Sequence, residues 1–137
     1  MPITELEHTA DVRMKITADS MENLFSESAF ALSKTLFGDY IAEEPTDSFE
    51  IEASGKDDEQ RAVNFLSEVL FLTETEYIVP QKISVSIHDS TVKGIIEGVE
   101  FDKAKHCGGT EVKGISYCGL SLSKKEYGYE LIIIFDI

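Results

Sequence analysis

Three short clusters in this sequence combine residue types that can hold a cation or compensate charge. The first is His8-Thr9-Ala10-Asp11, a small polar group between two expected strands, where side chains are free of a sheet ladder. The second is Ile134-Phe135-Asp136-Ile137, where an acidic side chain and a main-chain carboxylate follow an apolar strand. The third is Thr110-Glu111-Val112-Lys113-Gly114, preceded by Phe101-Asp102 and His106. Lys113 falls inside an expected strand, an unusual place for a long cation unless it meets acid.

If Asp11 joins Asp136 and the terminal carboxylate of Ile137, three like charges are packed together and repel. A divalent cation removes that conflict, and an all-oxygen donor set suits calcium, magnesium or manganese better than thiophilic ions. Each residue also has a plainer reading. Aspartate favours turns, an isolated histidine is most often a hydrogen-bonded structural residue, and lysine is usually solvated.

Two further chemistries draw on the same pool of side chains. Asp11 and Asp136 with Lys113 could support metal-dependent hydrolysis, although no general base accompanies them. Cys107 and Cys118 with His106 and His8 could form a zinc or redox centre, yet no CxxC or HxxxH spacing supports it, and free thiols are expected. His88 beside Asp89 decorates a hairpin turn, and Gly108-Gly109 reads as a flexible turn because no strand-loop-helix phosphate motif surrounds it.

The elements that must position these groups follow from periodicity. Residues 2–8 and 12–18 read as strands, and a helix over 20–37 is expected to start near Asp19 and Glu22 and stop at Gly38. A strand through Phe49, Ile51 and Ala53 precedes a second helix over about 58–76, with Asp57, Asp58 and Glu59 at its N-terminus. Pro80 is expected to break the chain before a hairpin through Ile83–Ile87 and Val92–Ile96. After a loop over 98–110 come strands at about 111–123 and 129–136, the last apolar throughout and so expected to be central and covered on both faces. The pattern predicts one α+β domain over residues 1–137, with about seven mainly antiparallel strands and two helices on one side.

Composition excludes some partners. Twelve Lys and Arg against 26 Asp and Glu give a formal charge of -14, which repels nucleic-acid phosphates and anionic lipid at long range. Direct RNA binding is therefore not expected. The start lacks a secretory pattern and no segment is apolar for a membrane-spanning length, so a cytoplasmic protein is expected.

Taken together, the three clusters resemble the archease family. Glu7-His8-Thr9-Ala10-Asp11-Val12 is similar to its E-H-T-A-D-V opening, Phe101-Asp102 through His106 to Gly109-Thr110-Glu111-Val112-Lys113 to its F-D-x-x-x-H-x-x-G-T-E-V-K block, and Phe135-Asp136-Ile137 to its terminal F-D-[IV]. The resemblance implies a non-catalytic accessory protein that activates a tRNA-splicing RNA ligase. The ligase uses GTP and manganese, and its guanylylation and repeated turnover are promoted. It also implies Asp11, Asp136 and the Ile137 carboxylate as metal ligands, with Lys113 important for activation and His8 and His106 grouped with it as partner-activation residues. Where the family commonly reads V-K-A-[VI]-T-Y-H-G-L, this sequence has Gly114, Ser116 and Cys118, so any role of that histidine does not carry over.

Overall fold

The computed structural model of the chain describes residues 11–137, and the expected strand at 2–8, together with His8, lies outside them. Alternation produces β1 (Asp11–Ala18), with Ile16 turned into the core and Arg13 and Lys15 exposed. Helix α1 (Met21–Phe37) starts one residue later than Asp19 suggested. Ser20 is its cap, accepting the Asn23 N–H at 3.1 Å, while Asp19 takes the Asn23 side-chain amide at 2.7 Å. After β2 (Asp47–Ser54), α2 (Asp58–Glu76) is capped by Asp57, which accepts the Gln60 N–H at 2.7 Å, and Gln60 in turn accepts the Lys56 N–H at 2.7 Å.

The remaining strands are β3 (Ile78–His88), β4 (Thr91–Glu100), β5 (Gly114–Lys125) and β6 (Gly128–Asp136). Six strands thus stand among the described residues. Pro80 does not break the chain but lies inside β3, at a register shift between Pro80 and Lys82. A proline is tolerated there because β3 is an edge strand. The outward side of that edge is occupied by side chains: Tyr40 donates its hydroxyl to the Pro80 carbonyl at 2.6 Å and Ser26 to that of Ile83 at 2.9 Å.

The strands form two antiparallel three-stranded sheets, ordered β1-β6-β5 and β2-β4-β3. Each helix touches strands of both sheets, so a single core lies between the helices and one face of each sheet. In the first sheet that face carries Ile16, Leu131, Ile133 and Phe135, all buried, and in the second Ile51, Ile83, Val92 and Ile96. Phe25 of α1 and Phe65 of α2 stack at the centre with ring centroids 5.8 Å apart.

As expected, β6 is central. It is not covered on both faces, because Ile132 and Ile134 point away from the helices and stay half-buried beside Arg13 and Lys15. The run of five apolar residues therefore records one core face and one partly open face. Opposite it, β5 bulges: Tyr117, Cys118, Gly119 and Leu120 together face only Ile133.

Phe65 is fully buried, and its ring would press on any side chain added at Gly94. Phe65→Ala should cost about 3–5 kcal/mol of unfolding free energy in a urea titration. A cost below about 1 kcal/mol would mean that this stack does not organise the core.

Candidate metal and partner site

The register of β1 on β6 places Asp11 directly opposite Asp136, and that of β5 places Gly114 on the other side of Asp136. Directly opposed residues of an antiparallel pair point to the same face with Cβ atoms about 5 Å apart. Two carboxylates so placed repel unless a cation lies between them, and β-sheets disfavour the arrangement otherwise. Asp11 is exposed and Asp136 half-buried, so the pair faces solvent at the end of the first sheet, and Ile137 follows Asp136 there. The groups that this pair offers are oxygens alone, the donor type that hard divalent ions prefer.

Lys113 was expected within a strand. It instead stands one residue before β5, exposed, and donates its backbone N–H to the Asp136 carbonyl at 2.6 Å. Its neighbour Val112 is fully buried, which anchors the segment. Upstream, Thr110 donates its N–H to the Thr35 carbonyl at 2.8 Å, tying the loop to the last turn of α1. Gly109 makes this approach possible, since a Cβ there would fall 2.3 Å from the Leu36 carbonyl carbon. The Gly108-Gly109 pair is thus a close backbone contact with α1 and Gly38, rather than a flexible turn.

His106 holds the same loop from inside. Its ring is 1% exposed; Nδ1 accepts the Asp102 N–H at 2.9 Å, so the ring hydrogen sits on Nε2 and is donated to Glu43 at 3.1 Å. The other Glu43 oxygen accepts from the Lys105 ammonium at 3.1 Å. Tyr40 and Phe101 close around the imidazole with ring centroids 5.8 and 6.0 Å away. The buried ring braces this loop and presents no surface of its own. Glu43 and Tyr40 gave no signal in the sequence: Glu43 lies 63 residues from His106, and only the fold joins them.

The hydrogen bond from Lys105, assisted by the one from His106, outweighs partial burial and holds the Glu43 carboxyl below its usual range. Burial pushes the Tyr40 hydroxyl up. Beside this network lies a cavity of about 430 Å³ lined by Tyr40, Ile41, Glu43 and Lys105 among others.

Cys107 and Cys118 are free, exposed thiols, one in the loop after β4 and the other in the bulge of β5. Among the described residues no three His, Cys, Asp or Glu side chains group to hold a metal, so the zinc reading finds no assembled ligand set there. The carboxylate pair has two such side chains, and its third proposed donor is the main-chain carboxylate of Ile137.

Fold and site together define a class: a small α+β domain with two sheets sharing one helical cover and a carboxylate pair at the end of one sheet. The chain belongs to the archease family, for the model of the Archease protein family matches residues 4–137. It is 37% identical to protein archease of Ictalurus punctatus, covering 96% of this chain and 83% of that protein. It is 32% identical to protein archease of Methanopyrus kandleri over the whole of both chains. The fold matches the solution structure of Methanobacterium thermoautotrophicum protein 1598, with a TM-score of 0.75 at 20% identity over 96% of both chains. It also matches the crystal structure of a Thermotoga maritima archease, described as a possible chaperone, with a TM-score of 0.70 at 20% identity over 100% of this chain and 98% of that one.

The lowered carboxyl of Glu43 makes a pH prediction with a definite sign. A depressed carboxylate contributes stability above its ordinary value of 4.5 and loses it as pH falls through the lower value it has in the fold. The melting temperature of the wild type should therefore exceed that of Glu43→Gln at neutral pH, and the gap should close only below that value. The gap should be small and salt-sensitive, because the Lys105 partner is mostly exposed to solvent. A gap that widens on acidification would contradict the assignment.

Proposed function

We propose that this chain is an accessory protein that activates a GTP- and manganese-dependent tRNA-splicing RNA ligase and catalyses no reaction alone. Family membership supports the reading, as does the description of the Thermotoga relative as a possible chaperone, a role exercised on another protein. The observation that carries the site is the pairing of Asp11 with Asp136, beside which Lys113 is fixed by its own backbone bond.

In this reading Asp11, Asp136 and the carboxylate of Ile137 hold a calcium, magnesium or manganese ion. When bound, the ion supplies positive charge that cancels carboxylate repulsion and offers coordination positions toward an oxygen ligand of the partner. The protein's own part is positional. The β1-β6 ladder sets the spacing of the two aspartates, and the clasp from Gly109 to Val112 keeps Lys113 at the same end of the sheet. There the Lys113 ammonium serves as a second cation toward an anionic group of the ligase, its guanylylation site being the natural target. Promotion of guanylylation and of repeated turnover then follows from preorganised charge delivered to the ligase. The -14 charge keeps the activator off the RNA, and no helix among the described residues is long and apolar enough to cross a membrane.

The test is ligation by the host's RNA ligase with GTP and manganese, followed past one turnover with and without this protein. Stimulation by the wild type, lost in Asp11→Asn and Lys113→Ala at unchanged melting temperature, is expected. Absence of stimulation by the wild type would refute the ligase reading.

A second expectation concerns the chain end. Residues appended after Ile137 replace an ionised carboxylate by a neutral peptide carbonyl, a weaker ligand for a divalent ion. Calcium affinity measured by calorimetry should drop by at least about tenfold for the C-tagged protein, a loss of about 1.4 kcal/mol. It should stay unchanged for the same tag placed before Met1. Equal affinities would remove Ile137 from the ligand set.

A further inference from the structure

The outer face of the first sheet, the face away from the helices, has an unusual order of side chains. Along β1 it presents Asp11, Arg13, Lys15 and Thr17; along β6, in register, Asp136, Ile134, Ile132 and Glu130; along β5, Gly114, Ser116, Ser121 and Ser123. The middle of the face is therefore two half-buried isoleucines with two cations along one side and small serines along the other. Arg13, Met14, Lys15 and Ile132 line a hollow of about 260 Å³, room for one apolar side chain. Lys15 stays 65% exposed even though its ammonium lies 3.7 Å from Glu130. That carboxylate is already engaged by the Tyr127 hydroxyl at 2.8 Å and is 14% exposed, so it offers little to a visitor.

In a chain of net charge -14, a face whose exposed charges away from the aspartate end are all cations, Arg13 and Lys15 on β1 and Lys125 at the far end of β5, stands out. By contrast, the outer face of the second sheet presents Glu50, Glu52 and Glu97 with Lys82 and Lys93. Charge complementarity thus selects the occupant of the first face: a protein segment with an apolar side chain flanked by carboxylates. An RNA strand would meet the same two cations but also the long-range repulsion of the whole molecule.

We propose that the outer face of β1-β6-β5 is the docking surface for the partner protein. Arg13 and Lys15 receive acidic residues of the partner, and the hollow on Ile132 receives an apolar side chain between them. Docking here brings the partner alongside Asp11, Asp136 and Gly114, which lie at the end of the same face, and next to Lys113. The proposal rests on the partner-activation reading and specifies the surface that reading needs.

The experiment measures binding of the host's RNA ligase to immobilised protein for four forms: wild type, Arg13→Glu/Lys15→Glu, Ile132→Asp, and Glu52→Lys as a control on the second sheet. Circular dichroism melts confirm that each is folded; because Ile132 is half-buried, the double charge variant is decisive should Ile132→Asp melt low. The double variant is expected to bind about 30-fold or more weaker, with most of the wild-type salt dependence gone, while Glu52→Lys binds as the wild type. Unchanged affinity of the double variant, or an equal loss in Glu52→Lys, would overturn the proposed surface while leaving the ligase reading intact. A wild type that does not bind the ligase would overturn both. Sedimentation showing a dimer that the double variant dissolves, or RNA binding that it abolishes, would replace the proposed occupant and likewise overturn the inference.

Discussion

The constraint on which the site depends is the register of β1 on β6. Because side chains alternate across a strand, a slip of one residue would turn Val12, Met14 and Ile16 out of the core and Asp11 away from Asp136. The apolar pattern that places Leu131, Ile133 and Phe135 against the helices therefore also decides that two aspartates meet at the sheet's end. Opposed carboxylates weaken a ladder, and here they stand at its outermost rung among the described residues. Core packing supplies the force that holds the acidic groups together, and the acidic groups contribute nothing to packing.

The loop from β4 to β5 is the second requirement, and it is braced at several points. Glu43 and the His106 ring fix its beginning, the Thr110 bond to Thr35 with its glycine contact fixes its middle, and Val112 with the Lys113 bond to Asp136 fixes its end. The histidine and the lysine of one sequence block thus have different duties. One is buried and supports the loop, and the other is exposed where the loop enters the sheet.

Much of this organisation was legible in the sequence, because helix and strand periods are properties of adjacent residues. Both helices, the 83–96 hairpin and the central place of β6 follow from such patterns. The errors share a cause. Pro80 was read as a break because its edge position and its bond from Tyr40 depend on residues 40 positions away. Lys113 was placed in a strand because local alternation does not show where a ladder ends. The apolar run of β6 suggested cover on both faces, whereas Arg13 and Lys15 alone border the outer isoleucines on the β1 side. Glu43 reads only as part of a polar loop, since an acidic residue there carries no mark of the histidine it will meet. That Asp11 and Asp136 share one site was implied by the family resemblance and not by their residue types, and the register places the two opposite each other.

The proposed function rests on a hard-cation site formed by the paired aspartates at the end of β1 and β6, next to Lys113. The most direct measurement is a manganese titration of the isotope-labelled protein followed by amide NMR, since a bound paramagnetic ion broadens only nearby resonances. Such a site gives selective loss, at substoichiometric manganese, of the amide signals of Asp11, Val12, Lys113, Gly114, Asp136 and Ile137, abolished in Asp11→Asn. Broadening centred instead on Cys107 and Cys118, or spread evenly over the acidic surface of the helices, would contradict it.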